Sequence, residues 1–444
     1  MRNIYHVLIQ YITMFAVSYK RVVLEPHDRV LVAAPHPDDE ILGCTGIIQQ
    51  AVRMGLPLRF VFLTYGDANQ WSFIVYRKWP VLDPEDVISM GNVRHDEAVT
   101  AASVLNVPPE HLTFLGYPDF GTEDILYAHW GDNPPYKGLL TRVREVPYKN
   151  ALSPGASYKG EEILKDIKTV IHEFQPTKIF LSHPADHNRD HRALYIFTRV
   201  ALYDLELENA PELYPYLVHY SSWPTPRGYY PAESLEPPSH LEDQIVWESD
   251  VLSPDNLKLQ ALKKHKTQYS SNTNYLLSFV RANELYGDFP DMETVLSARS
   301  VMVNQHPEPS EELLYSERMQ FVGIEKYSMN LLDSAVVFSM ELSGPLARDV
   351  GASVYLFGYR NGNFAGMPKL RVSLGDFGYT VYDQTQRLPD DVVQVYREPR
   401  KITVRAPLDV LENPKRVLAS AKVELVEVPL DCAPWRVLDL ASVK

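Results

Sequence analysis

Short apolar runs alternate with segments of helical period through the first part of the chain, and closely spaced β-type runs replace them later. Residues 29–34, 58–63, 112–115 and 177–181 are brief, nearly continuous apolar stretches of the kind that form buried strands. Between them, residues 41–54 carry Leu42, Ile47, Ile48, Ala51 and Val52 near helical spacing, with Gly55 as a stop. Residues 94–105, 161–174 and 192–203 also read as helices. Residues 253–265 read as a helix with Ser253 as N-cap and Pro254 at its first position. Strands alternating with helices predict an α/β unit with a mostly parallel sheet. Residues 122–160 have no strong period and read as a long loop, a candidate lid. Seven prolines between 211 and 238 exclude a continuous helix there, and 216–220 is a candidate strand.

From about residue 328 the β-type runs are 335–342, 353–357, 370–374, 380–382, 392–396, 402–405 and 419–428, with turn residues such as Asn361 and Gly362 between them. This spacing predicts an all-β, sandwich-like domain. The expected organisation is an N-terminal segment 1–27, an α/β unit 28–285, a connector 286–327 with some helix at 310–319, and a β domain 328–444.

Composition narrows the classes. A chain of 444 residues should hold about two or three domains, and 45% apolar residues suffice for their cores. A formal charge of −14 and a pI near 5.5 argue against a nucleic-acid binder. Only Cys44 and Cys432 occur, far apart, so neither a disulfide framework nor a cysteine zinc site is expected, and a reducing, cytoplasmic setting is the simple reading. Residues 4–19 are apolar but short and interrupted by His6, Gln10 and Ser18. They read as an amphipathic segment packed on the protein; the alternative is a weakly membrane-associated or exported segment.

The chemistry concentrates at two strand ends. Pro35-His36-Pro37-Asp38-Asp39-Glu40 lies between the first strand and its helix, where open α/β sheets place their ligands. His36 and Asp39 suit one metal ion, and Asp38 between them can face a bound water. A catalytic zinc takes three protein ligands, so a third must come from elsewhere. The candidate stretch is Ser182 to His191, with three histidines and two aspartates just past another strand, and His191 can close the site.

These two elements resemble the PIG-L/LmbE family, zinc-dependent N-deacetylases acting on N-acetylglucosaminyl compounds. The resemblance spans roughly residues 28–285, including the turn 64–67, Lys266-Thr267-Gln268 and the closing stretch 279–284. It implies a Rossmann-like LmbE fold with helices on both faces of the sheet. It implies Zn2+, or another divalent metal, on His36, Asp39 and His191, and Asp38 as general base. Arg94 and Asp119 match sugar-contacting positions, and Glu40 and Asp190 are read as groups that orient the ligands. Many members have a histidine that assists the oxyanion where this chain has Asn188. An amide can still donate a hydrogen bond there, and His183 or His187 can compensate. The implied partner is an amino-sugar glycan or glycoconjugate; the extra β domain and long loops are expected either to recognise a larger substrate or to mediate self-association as a homo-oligomer.

Each assignment has a competitor. His36, Asp38 and Asp39 would otherwise cap a helix; Arg94 and Asp119 would form a salt bridge or turn cap; His183 and His187 would be ordinary loop histidines. Trp71, Trp79, Tyr117, Trp130 and Tyr136 either stack on sugar rings or pack internally. A non-catalytic carbohydrate-binding or scaffold protein on the same fold is the alternative function. A nucleotide site is disfavoured, since the first turn has neither G-x-G-x-x-G nor a P-loop lysine.

Overall fold

The structure is a computed structural model. It describes residues 19–69, 74–76, 78, 83–239, 241–293, 301–305, 307–309, 313–346, 349–375, 378–426 and 428–440. The apolar segment expected at 4–19 lies almost wholly outside them, as do Trp71 and Trp79. No helix among the described residues is long and apolar enough to cross a membrane.

The α/β unit is built from β1 (Val30–Ala34), α1 (Asp39–Met54), β2 (Leu58–Thr64), α2 (Pro84–Val104), β3 (Leu112–Tyr117), α3 (Thr122–Ala128), α4 (Gly160–Phe174), β4 (Lys178–Ser182), α5 (Arg189–Leu205) and β5 (Glu212–Tyr216). Its sheet is wholly parallel, in the order β3-β2-β1-β4-β5. Every residue of β1 and β4 is buried, as parallel strands covered on both faces require. Right-handed crossovers put α1 and α2 on one face and α4 and α5 on the other. The strand order reverses between β1 and β4, so the crevice beyond their carboxyl ends is the topological switch point. Both histidine-bearing loops leave the sheet there.

A small sheet of Lys20–Arg21, β6 (Ile245–Asp250) and β7 (Asn283–Gly287) packs on α1. A Cβ on Gly43 of α1 would stand 2.5 Å from the Tyr216 ring, so only glycine lets this helix lie so close to β5. The buried Lys258 fastens the same helix through Glu284 (2.6 Å) and the Leu42 carbonyl (2.8 Å).

Four expectations change. Helix α2 starts at Pro84, not near 94: the Asp83 side chain accepts from the Asp86 amide, and Pro84 follows as first residue. Arg94 therefore sits mid-helix. Ser253 is left-handed (φ 48°) and makes no cap bond; residues 254–258 form a wide π-type turn that carries Lys258 inward. The strand near 216–220 is instead Glu212–Tyr216, which tolerates Pro215 because β5 is a sheet edge. Residues 122–160 are no free lid. They open with α3, and Trp130, Tyr148 and Tyr158 are fully buried. Tyr148 stacks on Tyr65 at 3.7 Å and its hydroxyl donates to Asp67.

The β-rich part forms two facing antiparallel sheets. One comprises β9 (Val301–Asn304), β10 (Ile324–Leu332), β11 (Ala335–Leu342), β17 (Lys401–Pro407) and β16 (Gln394–Glu398). The other runs β15 (Gln386–Leu388), β14 (Tyr379–Asp383), β13 (Lys369–Leu374), β12 (Val350–Tyr359), β18 (Arg416–Leu425) and β19 (Val428–Asp439), and ends on β8 (Met292–Glu293) in parallel. Strands at Met292 and Val301 mean that the stretch expected as connector already contributes to both sheets. Among the described residues, its helical turn is Tyr315–Arg318.

Strand alternation explains how the two parts join. On β12, Val354 and Leu356 face the five-stranded sheet that begins with β9, whereas Tyr355, Phe357 and Tyr359 join the α/β core. Leu418, Trp435 and Val437 do the same from β18 and β19. Tyr355 stacks on Tyr127 of α3 at 4.4 Å. Lys369 lies 4.5 Å over the Trp130 ring while donating to the carbonyls of Phe364 (2.6 Å) and Met367 (3.0 Å). Strand β12, at the middle of its sheet, is thus buried on both faces. Trp435→Ala should cost about 3–5 kcal/mol, read as a lower urea midpoint for a single transition in which α-helical and β signals are lost together. Early loss of β signal alone would show two independently folding parts.

Candidate functional site

The Pro37–Asp38 turn is strained. Asp38 has φ 120° and ψ −27°, a region that L residues avoid, at a cost of order 1–3 kcal/mol. Its surroundings hold it. Glu40 accepts from the Asp38 amide (2.9 Å), and the buried Arg94 donates to the carbonyls of Pro37 (2.6 Å) and Gly66 (2.7 Å). A side chain at residue 66 would collide with that guanidinium, since a Cβ would stand 2.1 Å from its nitrogen, and φ there is 66°. The other Glu40 oxygen lies 3.3 Å from Nε2 of the fully buried His265. The Asp38 carbonyl then accepts from the Ile41 and Leu42 amides and starts α1.

The strained turn directs three side chains into the crevice. Asp39 Oδ2 accepts from the His36 amide (2.9 Å) and lies 3.1 Å from both His36 Nδ1 and His191 Nε2. His191 comes from the first turn of α5, across the switch point. Asp186 fixes it: a carboxylate oxygen lies 3.2 Å from His191 Nδ1 and accepts from the amides of Val218 and His219. His219 thereby turns its ring edge-to-face toward His191, centroids 4.9 Å apart. Ligand atoms of His36, Asp39, His191 and His219 all fall within 4.8 Å of one another. On its other side, His36 Nε2 faces Asp119 (3.1 Å) and Asp190 (3.3 Å), a second convergent group. Asp190 is held by the amides of Phe120 (2.6 Å) and Thr122 (3.1 Å).

This cluster favours positive charge. Burial opposes the imidazolium of His36, but Asp119, Asp190 and Asp39 outweigh it and raise its pKa well above the usual value. Burial opposes His191 too, yet Asp186 and Asp39 raise it to about 9. Asp39 is held well below the carboxylate range by both histidines, against its own burial. A potential that retains protons on two imidazoles equally favours a divalent cation on their nitrogens. Neither His191 nitrogen makes a hydrogen bond of good geometry, and a donor set of imidazole nitrogens with a carboxylate oxygen suits zinc. Burial, partly offset by Arg94, pushes Asp38 up to about 7.

Of the residues singled out in the sequence, His36, Asp39, Asp119, Asp190 and His191 meet in one place, with Asp38 and Arg94 beside them (3.4 Å apart). Asn188 caps α5, accepting from the Asp190 amide. His183 packs on Gly287 and Phe289, and His187 against Tyr220; neither belongs to a metal-capable group among the described residues. Trp130 is core, and the Tyr117 hydroxyl donates to Asp166. Sequence reasoning missed His219, Asp186 as an anchor, and His265. The available signal for His219 was its place just past a strand end, obscured by Pro215.

Residues 31–202 match the family described as PIG-L: GlcNAc-PI de-N-acetylase. A 1D-myo-inositol 2-acetamido-2-deoxy-alpha-D-glucopyranoside deacetylase of Mycobacterium sp. (strain KMS) is 27% identical over 259 residues, covering 55% of this chain and 76% of its own. The protein of the same description from Mycobacterium sp. (strain JLS) matches equally. Among solved structures, the conserved protein TT1542 of Thermus thermophilus has a TM-score of 0.36 at 18% identity, covering 61% of this chain and 99% of that one. The A40926 pseudoaglycone deacetylase Dbv21 has a TM-score of 0.38 at 17% identity, covering 59% and 97%. Through residues 31–202, this chain is similar to the PIG-L family.

Proposed function

We propose that the protein is a metal-dependent amide hydrolase that removes an N-acetyl group from a GlcNAc-containing glycan or glycoconjugate. The convergence of His36, Asp39 and His191 at the switch point, with a buried carboxylate alongside, carries this reading. A zinc ion held by these three residues would polarise the amide carbonyl and make water acidic enough to lose a proton near neutrality. Asp38 accepts that proton and returns it to the departing nitrogen, so a C–O bond replaces the C–N bond and acetate and a free amine result. Its carboxyl, pushed up to about 7, suits both directions of transfer. Arg94 keeps Asp38 aimed while bracing the turn. Asp190 fixes the His36 ring. Asp119, buried beside His36, accepts a sugar hydroxyl within the crevice.

Asn188 uses its carbonyl oxygen as a helix cap, leaving its NH2 to donate toward the oxyanion. His219 supplies a second donor. Burial lowers its pKa to about 4, so its imidazole is neutral and carries one N–H.

The direct test is free-amine release from N-acetylglucosaminyl compounds, with zinc and with a chelated control. Zinc-dependent release is expected; a protein that holds one equivalent of metal and releases no amine from any compound fails this reading and behaves as a binding protein. Asp38→Ala should lower kcat by about 10²–10⁴-fold with metal content, by elemental analysis, unchanged. Asp39→Ala should instead lose the metal itself. His219→Ala should lower kcat with little change in KM; a rise in KM alone would make His219 a substrate-binding group.

A further inference from the structure

A cavity of about 320 Å³ opens beside the metal-capable cluster and contains none of its residues. One wall belongs to the α/β unit. His187 comes from the loop that also carries Asp186 and Asn188, and Tyr220 directly follows His219; their rings are 4.7 Å apart. Trp223 adds a second aromatic surface. The opposite wall is supplied by the β-rich part, through Gln305, Glu308 and Asp431.

This wall is built, not incidental. The Gln305 backbone N–H donates to the Glu325 carbonyl (2.7 Å), and Asp431 accepts from the Ile324 backbone N–H (2.7 Å), so both residues are set by the start of β10. Ser221 donates across to the Pro309 carbonyl (3.3 Å), which stitches the two walls together. The side-chain amide oxygens of the lining residues Gln244 and Gln305 are themselves buried, so these residues pack into the wall. Among the described residues, no lysine or arginine lines the cavity, while Glu242, Glu308 and Asp431 do.

The chemistry selects the ligand. The lining carboxylates of Glu242 and Glu308 and the hydroxyls of Ser221, Ser222 and Ser239 suit a ligand rich in hydrogen-bond donors. The absence of cationic side chains from the described lining disfavours phosphate, sulfate or a carboxylated group. Aromatic faces beside hydroxyl and amide groups suit a polyhydroxylated ring, which offers O–H donors at its rim and C–H faces to the rings. The volume is at the small end of ligand sites. We infer that this cavity is a subsite for a further, uncharged sugar ring of the same glycan, so that the β-rich part selects substrates longer than one amino sugar. This rests on the proposed glycan reading.

Calorimetric titration with N-acetylglucosamine and its β-1,4-linked dimer and trimer tests it, using Asp38→Ala protein so that nothing turns over. The trimer should bind about tenfold or more tighter than the monosaccharide, roughly 1.4 kcal/mol. Adding Ser239→Trp, at an exposed lining position, or Gln305→Ala should remove most of that gain and leave the monosaccharide affinity within about twofold, with unchanged unfolding temperature as the folding control. Equal affinity for all three sugars, or a gain that survives both variants, overturns the inference. Length-dependent binding without amine release by the parent protein defeats only the hydrolase reading. Amine release without length dependence defeats only the subsite.

Discussion

The crevice depends on one buried guanidinium. Arg94 gathers the carbonyls of Pro37 and Gly66 and stands beside the Asp38 carboxylate, so it ties the ends of β1 and β2 to α2 in a single point. Without it, the left-handed backbone at Asp38 would lose its main restraint, and relaxation of that turn would rotate His36, Asp38 and Asp39 away from one another. The strain is held in place because several independent bonds over-determine it. Glu40 grips the amide on one side, and His265, from the far end of the α/β unit's sequence, grips Glu40.

Around that turn the protein assembles an excess of carboxylates and gives each a fixed job. Asp39 lies between two imidazoles, Asp186 aligns the histidines on the opposite loop, and Asp190 sits under His36 with three donors of its own. Burial pushes both neighbours up, and their partners set them apart: the two histidines hold Asp39 ionised, while Asp38, facing one arginine, rises to about 7. Adjacent residues of one type thus acquire a ligand's character and a base's character from their surroundings alone.

Much of this was legible in the chain. Strands β1, β2 and β4 declare themselves as short apolar runs, and the two histidine-bearing loops follow directly from two of them. Local signals failed where distant contacts decide. Ser253-Pro254 looks like a helix start, but burial of Lys258 on Glu284 imposes a different turn. Residues 122–160 have no period because their order comes from separate aromatic anchors, Trp130, Tyr148 and Tyr158, each seated in another element. His219 and His265 were invisible as site residues because their approach depends on which strand ends are neighbours. That is a property of the strand order, not of spacing along the chain.

The two-sided burial of β12 has a consequence for biosynthesis. The aromatic surface of α3 that receives Tyr355 and Trp435 belongs to an α/β unit whose own strands are all made well before β18 and β19 emerge. At ordinary elongation rates of about 5–20 residues per second, that surface waits uncovered for some tens of seconds on every nascent chain. A protein arranged this way places its greatest demand on chaperones during synthesis, after its chemistry-bearing half has been translated and before its β-rich half has closed over it.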